Sequence, residues 1–295
     1  MTRWSGEEVG AKMTQDKRVI QEVLSSQSAS DGAGMRLKRV FGGRNLDRFD
    51  PFLMLDEFGS FDAADYIGGF PSHPHRGFET VTDMLEAYME HRDHIDNLGR
   101  LGPGDVQWIT AGSGVIHSEM PQQKEGRMRG FQLWVNLPAA EKMIPASYQN
   151  IGAQDIPQYQ MDHIGVRAIA GRLMVNEQEV IGAVTHPSTE PGYLDLQIAS
   201  PDAVRILIPD GHNALLYVYE GSLTVSDHDY RLKAGKMGRL SHHGLLVLQA
   251  EPYTRALVIS GKPIGEPIVH YGPFVMNTMA EIKQAVTDYN SGKLV

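Results

Sequence analysis

Short apolar runs closed by turn residues recur along the whole chain, and they constrain its fold more than any other feature. FETVTDML, GDVQWIT, GFQLWVNL, LDLQIA, LLYVYEGSLTV, GLLVLQA and TRALVISG are rich in β-branched and aromatic residues, and each is bounded by Gly, Pro, Asn or Asp. Thirty-one glycines and sixteen prolines supply the turns. Segments this short bury their apolar faces only by pairing and stacking, so the pattern predicts an all-β protein. Two packed sheets, closed as antiparallel barrels or sandwiches, accommodate such a chain better than one large sheet. Helical periodicity is confined to a short C-terminal helix from about Met279 to Tyr289, where Ile282, Ala285, Val286 and Tyr289 recur. A second, weaker candidate spans Ala139 to Met143.

At 295 residues the chain suits two domains, and 41% hydrophobic content is enough to give each a core. A diverged repeat supports the division. TVTDMLEA at 80–87 and ALLYVYEG at 214–221 both close an apolar run with a glutamate and a small residue. Aligning Glu86 with Glu220 sets an offset of 134 residues, as 220 minus 86. The expected organisation is an N-terminal domain over 1–140, a polar linker over 141–158, and a C-terminal domain over 159–295 carrying the helix.

A net charge of −9 argues against direct binding to a phosphate backbone. No cysteine is present, which removes disulfides and thiolate ligands and leaves His, Asp and Glu for any metal. MTRWSGEEVG carries charge where a signal peptide needs an apolar run, and no apolar stretch reaches the length of a bilayer span. The expectation is a soluble, cytoplasmic protein without membrane contact.

Two motifs carry chemistry. HPHRGFE places His73 and His75 two residues apart, with Glu79 in the same parity, so all three can share one face of a strand. Pro74 fits only at the start or edge of that strand. GSGVIHSEMP repeats the spacing with His117 and Glu119. On neighbouring strands the two pairs would aim four nitrogen and oxygen ligands at one point, a set suited to Fe, Mn, Co, Ni or Zn. Four protein ligands on a six-coordinate metal leave two positions for water, oxygen or substrate. By parity alone either Glu79 or Glu119 could complete the set, the other then acting as a nearby base or as the orienter of a histidine. Under the 134-residue offset, His73, His75 and Glu79 fall on Leu207, Pro209 and Asn213, so the second module lacks the ligands. His91 and His94 lie in the charged stretch EHRDHID and read as solvated; the adjacent pair His242 and His243 reads as surface or capping.

FPSHPHRGFETVTDMLE, GPGDVQWITAGSGVIHSEMP and FQLWVNLP closely resemble the pirin family of the cupin superfamily, as do EKMIPASYQ and YGPFVMNT further on. The resemblance is dense in the N-terminal domain and sparse in the C-terminal one. It implies a bicupin of two antiparallel β-barrels, each a double-stranded β-helix, with one divalent metal in the first barrel only. It further implies His73, His75, His117 and Glu119 as the ligands, Glu79 in a supporting role, and Fe(II) as the usual metal, with Ni, Co, Mn and Zn also compatible with the donors. Pirin-like proteins are similar to quercetin 2,3-dioxygenases, which open the central ring of a flavonol with O₂ and release carbon monoxide. That implies a flavonol-type aromatic substrate and O₂ as partners, with Glu119 as the base that accepts the 3-hydroxyl proton. Gln132 and Trp134, alternating on one strand, are candidates to line the pocket. The competing implication is a metal-containing regulatory protein, a transcription cofactor or modulator of a metabolic enzyme, whose charge favours a protein partner. LEAYMEHRDHIDN departs from the family pattern and is expected to rim the pocket, and about 15 N-terminal residues match no family segment.

Overall fold

The computed structural model describes residues 16–43, 45–185, 188–226 and 230–295; the unmatched N-terminal extension lies outside them. Among the described residues the fold is β throughout, with a single α-helix, Met279–Asn290, and a few 3₁₀ turns. No helix among the described residues is long and apolar enough to cross a membrane.

The chain forms two compact units. The first comprises residues 27–153 and 264–295, the second residues 154–263 together with the described residues before 27. The first unit pairs a seven-stranded antiparallel sheet with a four-stranded one. The larger sheet runs Ser147–Ile151, Val106–Thr110, Phe78–Glu86, Met128–Asn136, Phe52–Ser60, Met35–Phe41, Gln27–Asp31. The smaller runs Phe70–His75, Val115–Pro121, Met89–Asp93, Leu98–Leu101.

The second unit repeats this plan. Its larger sheet runs Ile20–Ser25, Lys236–Leu240, Asn213–Glu220, Thr254–Gly261, Gly192–Ile198, Ile164–Ala170, Gln158–Met161. Strand for strand it matches the larger sheet of the first unit, and the strands ending in Glu86 and Glu220 hold the same third place. Its smaller sheet has six strands, and its core draws on both, with Val166, Leu194, Leu216 and Val258 from the larger meeting Leu173, Ile206, Leu223 and Leu248 from the smaller. Two cupin domains are therefore present, each built as a pair of facing sheets.

The domain boundaries differ from the expected ones at both termini. Ile20–Ser25 adds an edge strand to the second unit, with Leu24 opposite Met237 and Val23 opposite Gly238. Residues 264–295, expected in the C-terminal domain, belong to the first unit. There Ile282 and Ala285 of the helix bury against Phe274, Met276 and Leu294. A Thr278–Glu281 capping box starts that helix, satisfying backbone donors in both directions. The expected linker is not featureless, because Ser147–Ile151 extends the first sheet and Gln158–Met161 the second. The weaker helix candidate is only a 3₁₀ turn at Ala139–Glu141.

The motif strand illustrates the local logic. Phe70–His75 is the edge strand of its sheet, so Pro74 removes no needed ladder donor. Gly77 follows at φ 89°, and a Cβ there would stand 2.0 Å from the Val275 carbonyl oxygen. Glycine is thus required by a close approach to the C-terminal segment. Buried Lys142 seals the junction, its Nζ donating to the carbonyls of Gly77 (2.7 Å) and Val275 (3.1 Å) and to Asn136 Oδ1 (2.5 Å). Arg76 fastens the same segment through Asp288 of the helix, with Nη1 to Oδ2 at 2.7 Å.

Candidate metal centre

The two motifs lie on adjacent antiparallel strands, with His117 directly opposite His73 and Val115 opposite His75. Strand alternation turns 73, 75, 117 and 119 to one face. The ring nitrogens of His73, His75 and His117 include one donor each that lie within 4.8 Å of one another. His73 Nε2 and His75 Nε2 stand 3.0 Å apart, and His73 Nδ1 donates to the Pro71 carbonyl at 2.8 Å. That bond leaves the His73 Nε2 lone pair facing the cluster. His117 Nε2 is buried with no hydrogen-bond partner. An orphaned imidazole nitrogen beside two apposed ones is costly in a bare protein and suits a cation placed among them. Burial, and secondarily the neighbouring rings, holds His75 and His117 well below the ordinary imidazole range, so both are neutral and able to ligate.

Glu119 is buried on the same strand as His117 and lines a cavity together with His73 and His75, but the close three-nitrogen group does not include it. Its Oε1 accepts from Thr82 Oγ1 at 2.9 Å, and that hydroxyl also reaches the Gln132 side-chain oxygen at 2.7 Å. Burial pushes the Glu119 carboxyl up, against the lowering effects of His73 and Thr82. Glu79, expected to support a histidine, instead accepts from Thr110 Oγ1 at 2.7 Å. No hydrogen bond joins it to the three histidines among the described residues. It is buried on the larger sheet, and strand alternation turns it to the face opposite Thr82, whose hydroxyl meets Glu119.

Glu79 has a thermodynamic signature. Burial raises its carboxyl to about 7, well above the ordinary glutamate value. A raised acid binds its proton more tightly in the folded state, so its contribution to stability is full below about pH 4.5 and is lost as pH rises through about 7. Glu79→Gln is therefore expected to flatten the fall in stability of the metal-free protein between pH 5 and 8. The wild-type-minus-variant difference in urea unfolding should change by on the order of 3 kcal/mol across that range, and a pH-independent difference would refute the assignment.

His91 departs from the sequence expectation. It is not solvated: it is 1% exposed, faces Glu119 across the ladder, and its Nε2 lies 2.9 Å from His117 Nδ1. The stretch around it is a strand, Met89–Asp93, whose Met89, His91 and Asp93 point inward while Arg92 faces solvent. That alternation is the signal a composition reading of EHRDHID overlooks. Burial pulls His91 down to about 4, so the neutral ring can accept the Nδ1 proton of His117 and direct His117 Nε2 into the cluster. His91→Leu is expected to weaken metal affinity roughly 10–100-fold in a chelator competition, while His94→Leu, at an exposed position, should leave it unchanged. His242 and His243 are exposed, as expected.

A cavity of about 440 Å³ opens on the cluster, a volume suited to a small aromatic ligand. His73, His75, Glu119, Gln132 and Trp134 all line it. So do His270, Gly272 and Pro273 of the returning C-terminal segment, which sequence spacing could not place there. The departing stretch LEAYMEHRDHIDN contributes nothing to the lining; part of it pairs instead as a hairpin, Met89–Asp93 with Leu98–Leu101.

In the second unit the counterpart of the His117 strand is Leu245–Ala250, and Leu246 and Leu248 point into an apolar core. Leu207 stands where the offset sets His73. The histidine cluster of the first unit is the one metal-capable group of three found among the described residues.

Comparison with known proteins agrees with this architecture. Residues 34–135 match the Pirin family model and residues 193–295 that of the Pirin C-terminal cupin domain. A Pseudomonas aeruginosa protein provisionally named a quercetin 2,3-dioxygenase is 54% identical over 94% of this chain and 98% of its own length. Rat pirin is 36% identical over 95% of this chain and 94% of its own. The crystal structure of a quercetin 2,3-dioxygenase from Acinetobacter baumannii superposes with a TM-score of 0.86 at 36% identity, covering 95% of this chain and 99% of that one. Matching family models in both modules, together with relatives aligned end to end, make the chain a member of the pirin family.

Proposed function

We propose that this pirin is a metal-dependent dioxygenase that opens the central ring of a flavonol. The observation that carries the reading is the convergence of three imidazoles, two of them lining a largely apolar, aromatic-walled cavity. In this reading His73, His75, His117 and Glu119 hold one divalent ion. The donors favour Fe(II) no more than Ni, Co, Mn or Zn, and iron is proposed from the family resemblance. When bound there, the ion would supply Lewis-acid chemistry to the substrate. Both atoms of O₂ enter the substrate, two ring C–C bonds break, and the carbon between them departs as carbon monoxide. Trp134 and Phe70 flank the planar ring system, and Thr82, itself in contact with Gln132, donates to the Glu119 carboxylate. Glu119 accepts the proton of the flavonol 3-hydroxyl at Oε2, the oxygen that Thr82 does not engage.

The test is protein loaded with Fe(II) under nitrogen, then given quercetin and O₂. Loss of flavonol absorbance with one carbon monoxide released per substrate is the expected result. Stoichiometric bound metal with no turnover of any flavonol would overturn the enzyme reading in favour of a regulatory metal protein.

A further inference from the structure

The cavity has a second polar wall that the metal reading leaves unused. Arg39 and Asp56 are cross-strand partners in the seven-stranded sheet, whereas the histidine cluster belongs to the four-stranded one. Asp56 is 2% exposed, and both its oxygens are taken by one guanidinium, Nε to Oδ1 at 3.0 Å and Nη2 to Oδ2 at 2.8 Å. Asp31 touches the outer side of the same Nη2 at 3.5 Å. The fork fixes the plane of the Arg39 side chain, as a lysine could not. Nη1 makes no hydrogen bond among the described residues, so its two donors remain available. Arg39 and Asp56 both line the cavity, as do Leu37, Met54, Phe58, Trp134 and the cluster residues His73 and His75. An ion pair with one partner partly exposed contributes little net stability to a fold. One lining a ligand-sized cavity has a clearer use in recognition.

We propose that Arg39, aimed by Asp56, is the second recognition point of this cavity and selects planar aromatic ligands bearing a hydroxyl or phenolate oxygen on the ring remote from the metal. The assignment rests on the flavonol reading above and deepens it: one polar edge of the substrate meets the histidine cluster, and the far hydroxyls meet Nη1. Asp56 is a positioning residue in this scheme, and Arg39 a specificity residue.

Calorimetric titration of Fe(II)-loaded protein under strict exclusion of O₂ measures binding without turnover. Two ligands are compared: quercetin, and 3-hydroxyflavone, which keeps the 3-hydroxyl edge and lacks the other hydroxyls. Wild-type protein is expected to prefer quercetin by about tenfold or more, the scale of a hydrogen bond to a charged donor. Arg39→Met should bring the ratio close to one while leaving the 3-hydroxyflavone affinity within about a factor of two. Asp56→Asn, which keeps the cation but loosens its aim, should give an intermediate ratio and provides the same test should Arg39→Met fold poorly. A preference for quercetin retained in both variants would overturn the Arg39 assignment alone. Failure of wild-type protein to bind either compound would overturn the flavonol reading and this assignment with it.

Discussion

His73→Ala is expected to yield a folded protein that retains almost no metal and no dioxygenase turnover. His73 is only partly buried, so truncation leaves the core intact, and thermal unfolding of the metal-free variant should match that of metal-free wild type within a few degrees. It does remove the imidazole that faces both His75 and His117. The loss of affinity should exceed the roughly 10–100-fold set by an outer partner such as His91. Elemental analysis after desalting, with quercetin consumption on the same samples, checks it. A variant that keeps one metal per chain would place the binding site elsewhere.

Arg18→Met is expected to be the most destabilising single change outside the metal centre. Arg18 is fully buried in the second unit, where its guanidinium donates to five backbone carbonyls. Ser241 O and Pro209 O are held most closely, at 2.5 and 3.0 Å. Burial pulls the group down to about 10, which still leaves it a cation at neutral pH. Methionine preserves most of the packing volume but leaves those carbonyls without a donor. The expected loss is on the order of 3–5 kcal/mol, measured by urea unfolding. Metal content should match that of wild type under native conditions, because the proposed ligands all lie in the first unit. A loss under about 1 kcal/mol would show that water satisfies the carbonyls just as well.

Both predictions depend on features of unequal visibility in the sequence. H-x-H and H-x-E are legible because strand geometry has a period of two, so spacing alone puts each pair on one face. The same rule exposes the second module as ligand-free, with Leu207 and the apolar Leu245–Ala250 strand standing where the first has histidines. His91 was hidden by its neighbours: Glu90, Arg92 and Asp93 give the segment a solvated composition, although only alternate residues face water. Thr82 and the Arg39–Asp56 pair carry no motif at all. They become functional candidates only when strands far apart in sequence bring Thr82 to Glu119 and the ion pair to the cavity wall.

Local periodicity and residue identity at short spacing encode the β architecture, the repeat, the C-terminal helix and the two strands that carry the candidate ligands. Only the tertiary structure decided which unit each terminus joins. Arg18 meets Ser241 across 223 positions, and Arg76 meets Asp288 across 212. Such pairings depend on which sheet edge or buried cleft remains open after the local elements have formed. HPHRGFE shows the division within seven residues. Its two histidines could be read as ligands directly, while the roles of Arg76 and Gly77 emerged only from the C-terminal segment packed against them.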